Sequence, residues 1–166
     1  MAPPTWTVGQ VLAAADVNSW FVPLVAVKGS DQSVTSSTTL VGDTALFVPL
    51  AANGSYEVRC MINYEGGTRN SSDLKWGFSV PGGSTMRYSA LFVGPGGSTN
   101  VQMLTGTSTN TAGSNGAGVI QALQMTGSIT TSSTAGNLQL QWAQGTSSGT
   151  ATIVHATSYL IAQRIS

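Results

Sequence analysis

The chain has 166 residues, a length typical of one compact domain, and 41% of them are hydrophobic while only 7% are charged. Ordinary soluble domains carry about 25% charged residues, and a chain this apolar is not an intrinsically disordered one. Its six basic and six acidic side chains cancel, so we expect no nucleic acid partner and no charge repulsion opposing self-association. No apolar run is long enough for a secretory signal or for membrane insertion.

Residues 1–24 differ in pattern from the rest of the chain. Met1–Thr7 is rich in proline and is predicted to be extended, and Ala13–Trp20 is predicted to form a short helix that Pro23 ends. We interpret this segment as an anchor that docks on another protein; the alternative is that its aromatic side chains pack on their own domain. The candidate anchor residues are Trp6, Val11, Leu12, Val17, Trp20 and Phe21.

From residue 25 onward the sequence has the pattern of an all-β domain. Apolar and polar side chains alternate along Tyr56–Glu65, Leu74–Val80 and Asn137–Ala143, as in strands with one face on a core and one face in water. Met86–Val93 and Val119–Ile129 are further strand candidates. The predicted fold is an antiparallel β-sandwich of the jelly-roll type over residues 25–166, preceded by the short helical anchor segment.

Three stretches have less regular patterns. Pro49 interrupts the run Leu46–Leu50, which predicts an edge strand or a strand end because proline cannot donate a ladder hydrogen bond. Residues 94–118 are rich in Ser, Thr, Asn and Gly and are predicted to form a long loop, either a contact region or a loop with no role. Thr152–Ile165 is apolar on both faces, which predicts a strand that is central or covered by another subunit.

The second half of the chain lacks charge. No Asp, Glu, Lys or Arg occurs from Tyr88 to Gln163, and the cores of protein interfaces are depleted of charge in the same way. We therefore expect much of this half to face another copy of the chain; an unusually neutral exposed surface is the alternative. The candidate residues of a trimer interface are Ile153, His155, Tyr159 and Ile161.

Residues suited to catalysis are sparse. His155 is the only histidine, no Gly-x-Ser-x-Gly motif holds a nucleophilic serine, and one histidine with one cysteine cannot supply a metal site. Glu57, Glu65 and Asp73 leave a carboxylate-based hydrolase as the enzymatic alternative. We predict a protein that is not an enzyme and binds no metal or cofactor, with Cys60 buried as a small hydrophobic residue.

The opening Trp6–Trp20 resembles the start of minor tail and tail-fibre proteins of phages that infect actinobacteria. Their shared pattern is Trp-x-x-Gly-x-Val-Leu-(Thr)-Ala-Ala-Asp-x-Asn, and Ala13 stands where Thr is common, which weakens a helix cap. The resemblance extends over most of the chain, through Asp31–Thr39, Ala51–Tyr56, Lys75–Pro81 and Ala151–Arg164. The β part is also similar to trimeric jelly rolls of the tumour-necrosis-factor type, which pack apolar, charge-poor faces around a threefold axis.

These resemblances imply a structural protein of a virus particle. It would be a surface-exposed minor tail or tail-fibre subunit that forms a homotrimer, contacts other virion proteins through residues 1–24, and meets the host through many weak contacts repeated over several copies. The implied location is the virion, assembled in the host bacterial cytoplasm and released by lysis. A capsid decoration protein or head fibre is the first alternative.

A carbohydrate-binding module that reads a host cell-surface glycan is the second alternative. It requires an aromatic side chain exposed in a loop or a shallow groove, and the candidates are Tyr64, Tyr88 and Tyr159. Trp76 and Trp142 fall on the inward faces of their predicted strands, so we expect them in the core.

Overall fold

A computed structural model describes residues 5–67, 69, 73–106 and 108–166. It contains a short helix followed by strands that run antiparallel to their neighbours. The elements are α1 (Ala14–Phe21), β1 (Leu24–Val27), β2 (Gln32–Val34), β3 (Val41–Leu50), β4 (Ser55–Glu65), β5 (Leu74–Ser79), β6 (Thr85–Val93), β7 (Thr99–Thr105), β8 (Asn110–Ala112), β9 (Gln121–Thr130), β10 (Gly136–Gln144), β11 (Thr152–Val154) and β12 (Tyr159–Arg164).

The strands form two sheets, which confirms the predicted antiparallel β-sandwich. The large sheet has eight strands in the order β1-β12-β4-β9-β6-β7, with β11 paired to β4 and β2 paired to β11. The small sheet has four strands in the order β3-β10-β5-β8. Pro49 lies in β3, whose only neighbour in this order is β10, so the predicted edge position is correct.

The core lies between the two sheets and is built by the alternation seen in the sequence. Tyr56, Val58, Cys60, Ile62 and Tyr64 all point inward from β4 and are at most 3% exposed. The facing sheet contributes large side chains in the same way, among them Trp76, Phe78, Leu138, Leu140 and Trp142. Cys60 and both tryptophans are therefore core residues, as predicted.

Two predictions about irregular stretches are wrong. Residues 94–118 are not one long loop, because β7 and β8 lie within them. Both strands are at sheet edges and are built from Thr, Asn, Gln and a few apolar residues, so neither shows the half-buried alternation that reveals a strand. Thr152–Ile165 is not one strand, because residues 155–158 separate β11 from β12 and Thr157 adopts a positive φ of 69°.

The predicted N-terminal helix is present as α1, and it contacts β12. Ala13 is the N-cap residue and provides no side-chain hydrogen bond, in agreement with the weakened cap expected of Ala in place of Thr. The Arg164 guanidinium lies 4.7 Å from the centre of the Trp20 ring, and the Gln163 side chain donates to the Trp20 carbonyl at 2.6 Å. The helix is thus held against the end of the sandwich.

A buried ion pair connects the start of the large sheet to the small sheet. Lys28 Nζ lies 2.8 Å from Asp43 Oδ2, and both side chains are at most 1% exposed. Asp43 also accepts hydrogen bonds from the Trp142 indole and from the amides of Ala45 and Leu46. Burial alone would raise the pKa of Asp43, but these bonds, led by the one from Lys28, outweigh it and lower the pKa below its ordinary value.

Candidate functional site

The outer face of the large sheet presents two neighbouring rows of side chains that cross six strands. The strand register places directly opposed residues on the same face, so each row can be followed from β1 to β7. The first row is Val27, Tyr159, Met61, Gln124, Leu91 and Val101, and the second is Val25, Ile161, Arg59, Thr126, Ser89 and Met103. We call these two rows the outer-face band.

Eight of the twelve residues of the outer-face band are apolar, and those on β1, β6 and β7 are exposed. Val25, Val27, Leu91, Val101 and Met103 are between 42% and 73% exposed. Arg59 is the only charged residue in either row. Scattered exposed apolar residues are normal on a protein surface, but a continuous patch of them marks an interaction site. The band therefore has the composition of a binding face.

A shallow groove runs along the middle of the outer-face band. It has a volume of about 400 Å³ and is lined by Arg59, Ser89, Leu91, Val101, Gln124 and Tyr159, with the strand backbones as its floor. Its walls combine apolar carbon with one guanidinium, one amide and hydroxyl groups. This chemistry suits contact with another protein surface, and the described lining offers no pair of carboxylates for acid–base catalysis.

The four predicted trimer-interface residues all lie on or beside this face. Tyr159 and Ile161 belong to the outer-face band and are half-buried by their neighbours in the sheet. Ile153 is opposite Glu65 at the end of β4, and His155 follows β11. The structure thus brings the four residues to one side of the large sheet, and their role at an interface is a proposal.

His155 lies between two carboxylates at the end of the sheet opposite α1. Its Nδ1 is 3.1 Å from Asp31 Oδ2, and its Nε2 is 3.8 Å from Glu65 Oε2. Asp31 also accepts a hydrogen bond from the Ala156 amide, and this bond, followed by the contact with His155, lowers the pKa of Asp31. Glu65 accepts a hydrogen bond from the Gly118 amide at 2.9 Å. Together these contacts hold the loops at this end of the sheet against β4.

The two acidic hydrolase candidates on β4 do not converge. Glu57 and Glu65 are eight residues apart on β4, or about 27 Å at the usual rise per residue, whereas glycosidase carboxylates are about 5–10 Å apart. Asp73 precedes β5 in the other sheet, and burial raises its pKa. Among the described residues no group of three or more His, Cys, Asp and Glu is arranged to hold a metal ion.

Two of the three aromatic candidates for glycan binding are in the core. Tyr64 and Tyr88 are 0% and 1% exposed, so neither offers a platform to a sugar. The glycan-binding alternative requires an exposed aromatic ring, but both residues fall on the inward-facing positions of their strands. Tyr159 is half-buried and lines the groove.

The candidate anchor residues divide into two groups. Val11, Leu12 and Phe21 are exposed, at 88%, 53% and 59%. Trp6, Val17 and Trp20 are half-buried, Trp6 against the ring of Phe21 and Trp20 against Arg164. The helix α1 is too short to cross a membrane, and the described part of the chain has no other helix.

Sequence reasoning missed most of the outer-face band. The sequence pattern did not identify Val25 and Val27 on β1, Leu91 on β6, or Val101 and Met103 on β7 as residues of one surface. The alternation is hidden because β1 and β6 carry apolar residues on both faces, whereas two of the three inward positions of β7 are polar. Only the register between strands shows that the five side chains share one surface.

No protein-family model matches the chain, and no curated relative matches it. Among solved structures, the chain is similar to the tripod from the baseplate of bacteriophage Tuc2009, with 10% identity and a TM-score of 0.40 over 98% of this chain and 75% of that one. It is also similar to a xylanase 10B fragment (CBM22-1 and GH10 modules) of Clostridium thermocellum, with 10% identity and a TM-score of 0.36 over 85% of this chain and 28% of that one.

A third similar structure is infectious bursal disease virus, Gx strain, with 13% identity and a TM-score of 0.22 over 96% of this chain and 44% of that one. The chain therefore spans less than half the length of the xylanase fragment and of the viral chain. All three TM-scores are below 0.5, and likeness at this level assigns no function to the chain.

Proposed function

We propose that this chain is a structural subunit of a tailed bacteriophage particle, a surface-exposed minor tail or tail-fibre protein that assembles as a homotrimer through the outer-face band. The observation that carries the proposal is the band itself, two rows of side chains across six strands with Arg59 as their only charge. A face of this kind is buried in assemblies, since water contact with its apolar side chains is unfavourable.

The charge-free half of the sequence supports self-association. The residues that β6, β7, β9 and β12 contribute to the band all lie between Tyr88 and Gln163, where no charge occurs. Covering this face with a second copy therefore buries few charges, which keeps the desolvation cost low. The trimeric number follows from the similarity of the sequence to jelly rolls of the tumour-necrosis-factor type.

The particle location is supported by the N-terminal segment. Trp6–Trp20 carries the pattern shared with phage tail proteins, and Val8, Val11 and Leu12 of this segment are exposed while α1 is held on β12. An exposed apolar segment fixed at one end of the sandwich suits attachment to another virion protein. In a trimer, three such segments would be presented to the particle together.

Removing residues 1–22 is expected to leave the trimer intact, because this deletion spares β1 and the whole outer-face band. Light scattering of the full chain and of the deletion variant measures both masses. Equal trimers agree with a separable anchor. A full chain that is a monomer at micromolar concentration overturns the trimer, and a trimer lost on deletion moves the assembly contact to the N-terminal segment.

The virion proposal predicts that the protein is part of the finished particle. An antiserum against the purified chain, applied to particles of the phage that encodes it, is expected to label the tail in electron micrographs. Label on the head would instead support a decoration protein or head fibre. Particles that carry no label, in a preparation where an antiserum against the major capsid protein does label, would contradict a structural role.

A further inference from the structure

Arg59 is an exception within the outer-face band. Its side chain is 56% exposed, and its Nε lies 3.4 Å from Glu57 Oε1, with the Glu57 side chain 48% exposed. This is a single contact through the inner nitrogen, and no hydrogen bond of the outer guanidinium nitrogens is found among the described residues. A guanidinium binds a carboxylate best through two parallel hydrogen bonds, so the contact within one copy leaves most of its donors unused.

Covering the band removes this guanidinium from water. A buried charge is strongly unfavourable unless a carboxylate pairs with it, so the interface has to supply one opposite Arg59. The described carboxylates on this face and at its end are Glu57, Glu65 and Asp31. Glu65 already accepts from the Gly118 amide and lies beside His155, and Asp31 accepts from the Ala156 amide. Glu57 has no described contact except Arg59, which leaves it available.

We infer that Arg59 of one copy pairs with Glu57 of the next and so determines how copies of the chain recognise one another. The inference rests on the proposed self-association. Both residues lie in the first half of β4, one in the band and one in the row beside it, where Glu57 is opposite Ser128. In a cyclic trimer each copy gives one Arg59 and one Glu57, so three identical pairs close the ring and fix its register.

The experiment compares Arg59→Glu, Glu57→Arg, the double exchange, and an equimolar mixture of the two single variants, all by light scattering over a range of concentrations. Each single variant places like charges together and is expected to raise the dissociation constant by about a hundredfold. The double exchange restores a complementary pair and is expected to recover assembly. Lys75→Glu, on β5 of the small sheet, is the matched charge-reversal control and is expected to assemble like the unaltered chain.

The mixture separates pairing between copies from pairing within one. An acidic Arg59→Glu copy and a basic Glu57→Arg copy complement each other only across an interface. A ring of three copies keeps one like-charged contact in any mixture, so the mixture is expected to assemble more tightly than either single variant and less tightly than the unaltered chain. Single variants that assemble as tightly as the unaltered chain overturn the inference, as does a mixture that assembles no more tightly than the single variants. If the unaltered chain is itself a monomer, it is the proposed self-association that fails.

Discussion

Replacing Lys28 by Met is expected to destabilise the folded chain by about 3–5 kcal/mol, because the Asp43 carboxylate then stays buried without its cation. The stem of the side chain keeps its packing in the variant and only the ammonium is lost. Urea denaturation at a fixed protein concentration, followed by tryptophan fluorescence, measures the change. Lys75→Met is the control: this lysine is only half-buried and donates to the Thr38 carbonyl, so its loss is expected to cost less than about 0.5 kcal/mol.

The effect of Lys28→Met is expected to depend on pH, with a sign that follows from Asp43. In the unaltered chain the pKa of Asp43 is lower when folded than when unfolded, so its contribution to stability is present above the ordinary value of 3.8 and is lost as pH falls through the folded pKa. Without Lys28, burial is no longer offset by the ammonium, and Asp43 binds a proton more readily. The difference in unfolding free energy between the two proteins is therefore expected to shrink as pH falls, from the folded pKa of Asp43 in the variant down to its lower folded pKa in the unaltered chain.

The double variant Lys28→Met/Asp43→Asn tests whether the two charges act as a pair. It removes both buried charges at once, and its asparagine oxygen can still accept from the amides of Ala45 and Leu46. Its destabilisation is expected to be smaller than the sum of the two single changes. A Lys28→Met protein as stable as the unaltered chain at pH 7 would contradict the account of the buried pair.

This ion pair shows what the sequence does not reveal. Lys28 and Asp43 are fifteen residues apart and neither belongs to a charge pattern. They meet because β1 joins the large sheet beside β12 while β3 forms the edge of the small sheet, which places both residues at one end of the sandwich. Only the sheet topology brings them together, so nothing local in the sequence identifies them as buried.

The strands that were predicted correctly share one property. In β4, β5 and β10 every second residue contributes an apolar side chain to the core, so the two-residue period of a strand is visible in the sequence. Among the described strands β7 pairs only with β6, and its Val101 and Met103 point outward, so its pattern resembles that of a loop. Edge strands with polar inward positions are the elements that this kind of reasoning misses.

The absence of charge in the second half of the sequence has two physical causes. One part of the charge-free half is β10, which lies between β3 and β5. Charge is absent there because Leu138, Leu140 and Trp142 are fully buried in the core. The rest includes the outward residues of β6, β7 and β9, for which burial inside the chain gives no such reason. The composition alone does not separate these two contributions, and only the second one supports self-association.

Leu91→Asp is expected to weaken self-association by at least about a hundredfold, or about 3 kcal/mol, because a carboxylate would be buried in the covered band without a partner. Leu91 lies on β6 between Gln124 and Val101 and lines the groove, and it is 42% exposed in one copy, so the single chain tolerates the charge. The mass of the purified variant at micromolar concentration, measured by light scattering, is expected to be that of a monomer.

Phe47→Asp is the matched control for this prediction. Phe47 is also 42% exposed and points outward from β3, but it belongs to the small sheet, on the other side of the sandwich. Both changes place one carboxylate at an exposed apolar position of a strand, so they cost similar folding stability and differ only in the face that they alter. Loss of the trimer in Leu91→Asp alone ties assembly to the outer-face band, whereas loss in Phe47→Asp alone would move the interface to the small sheet.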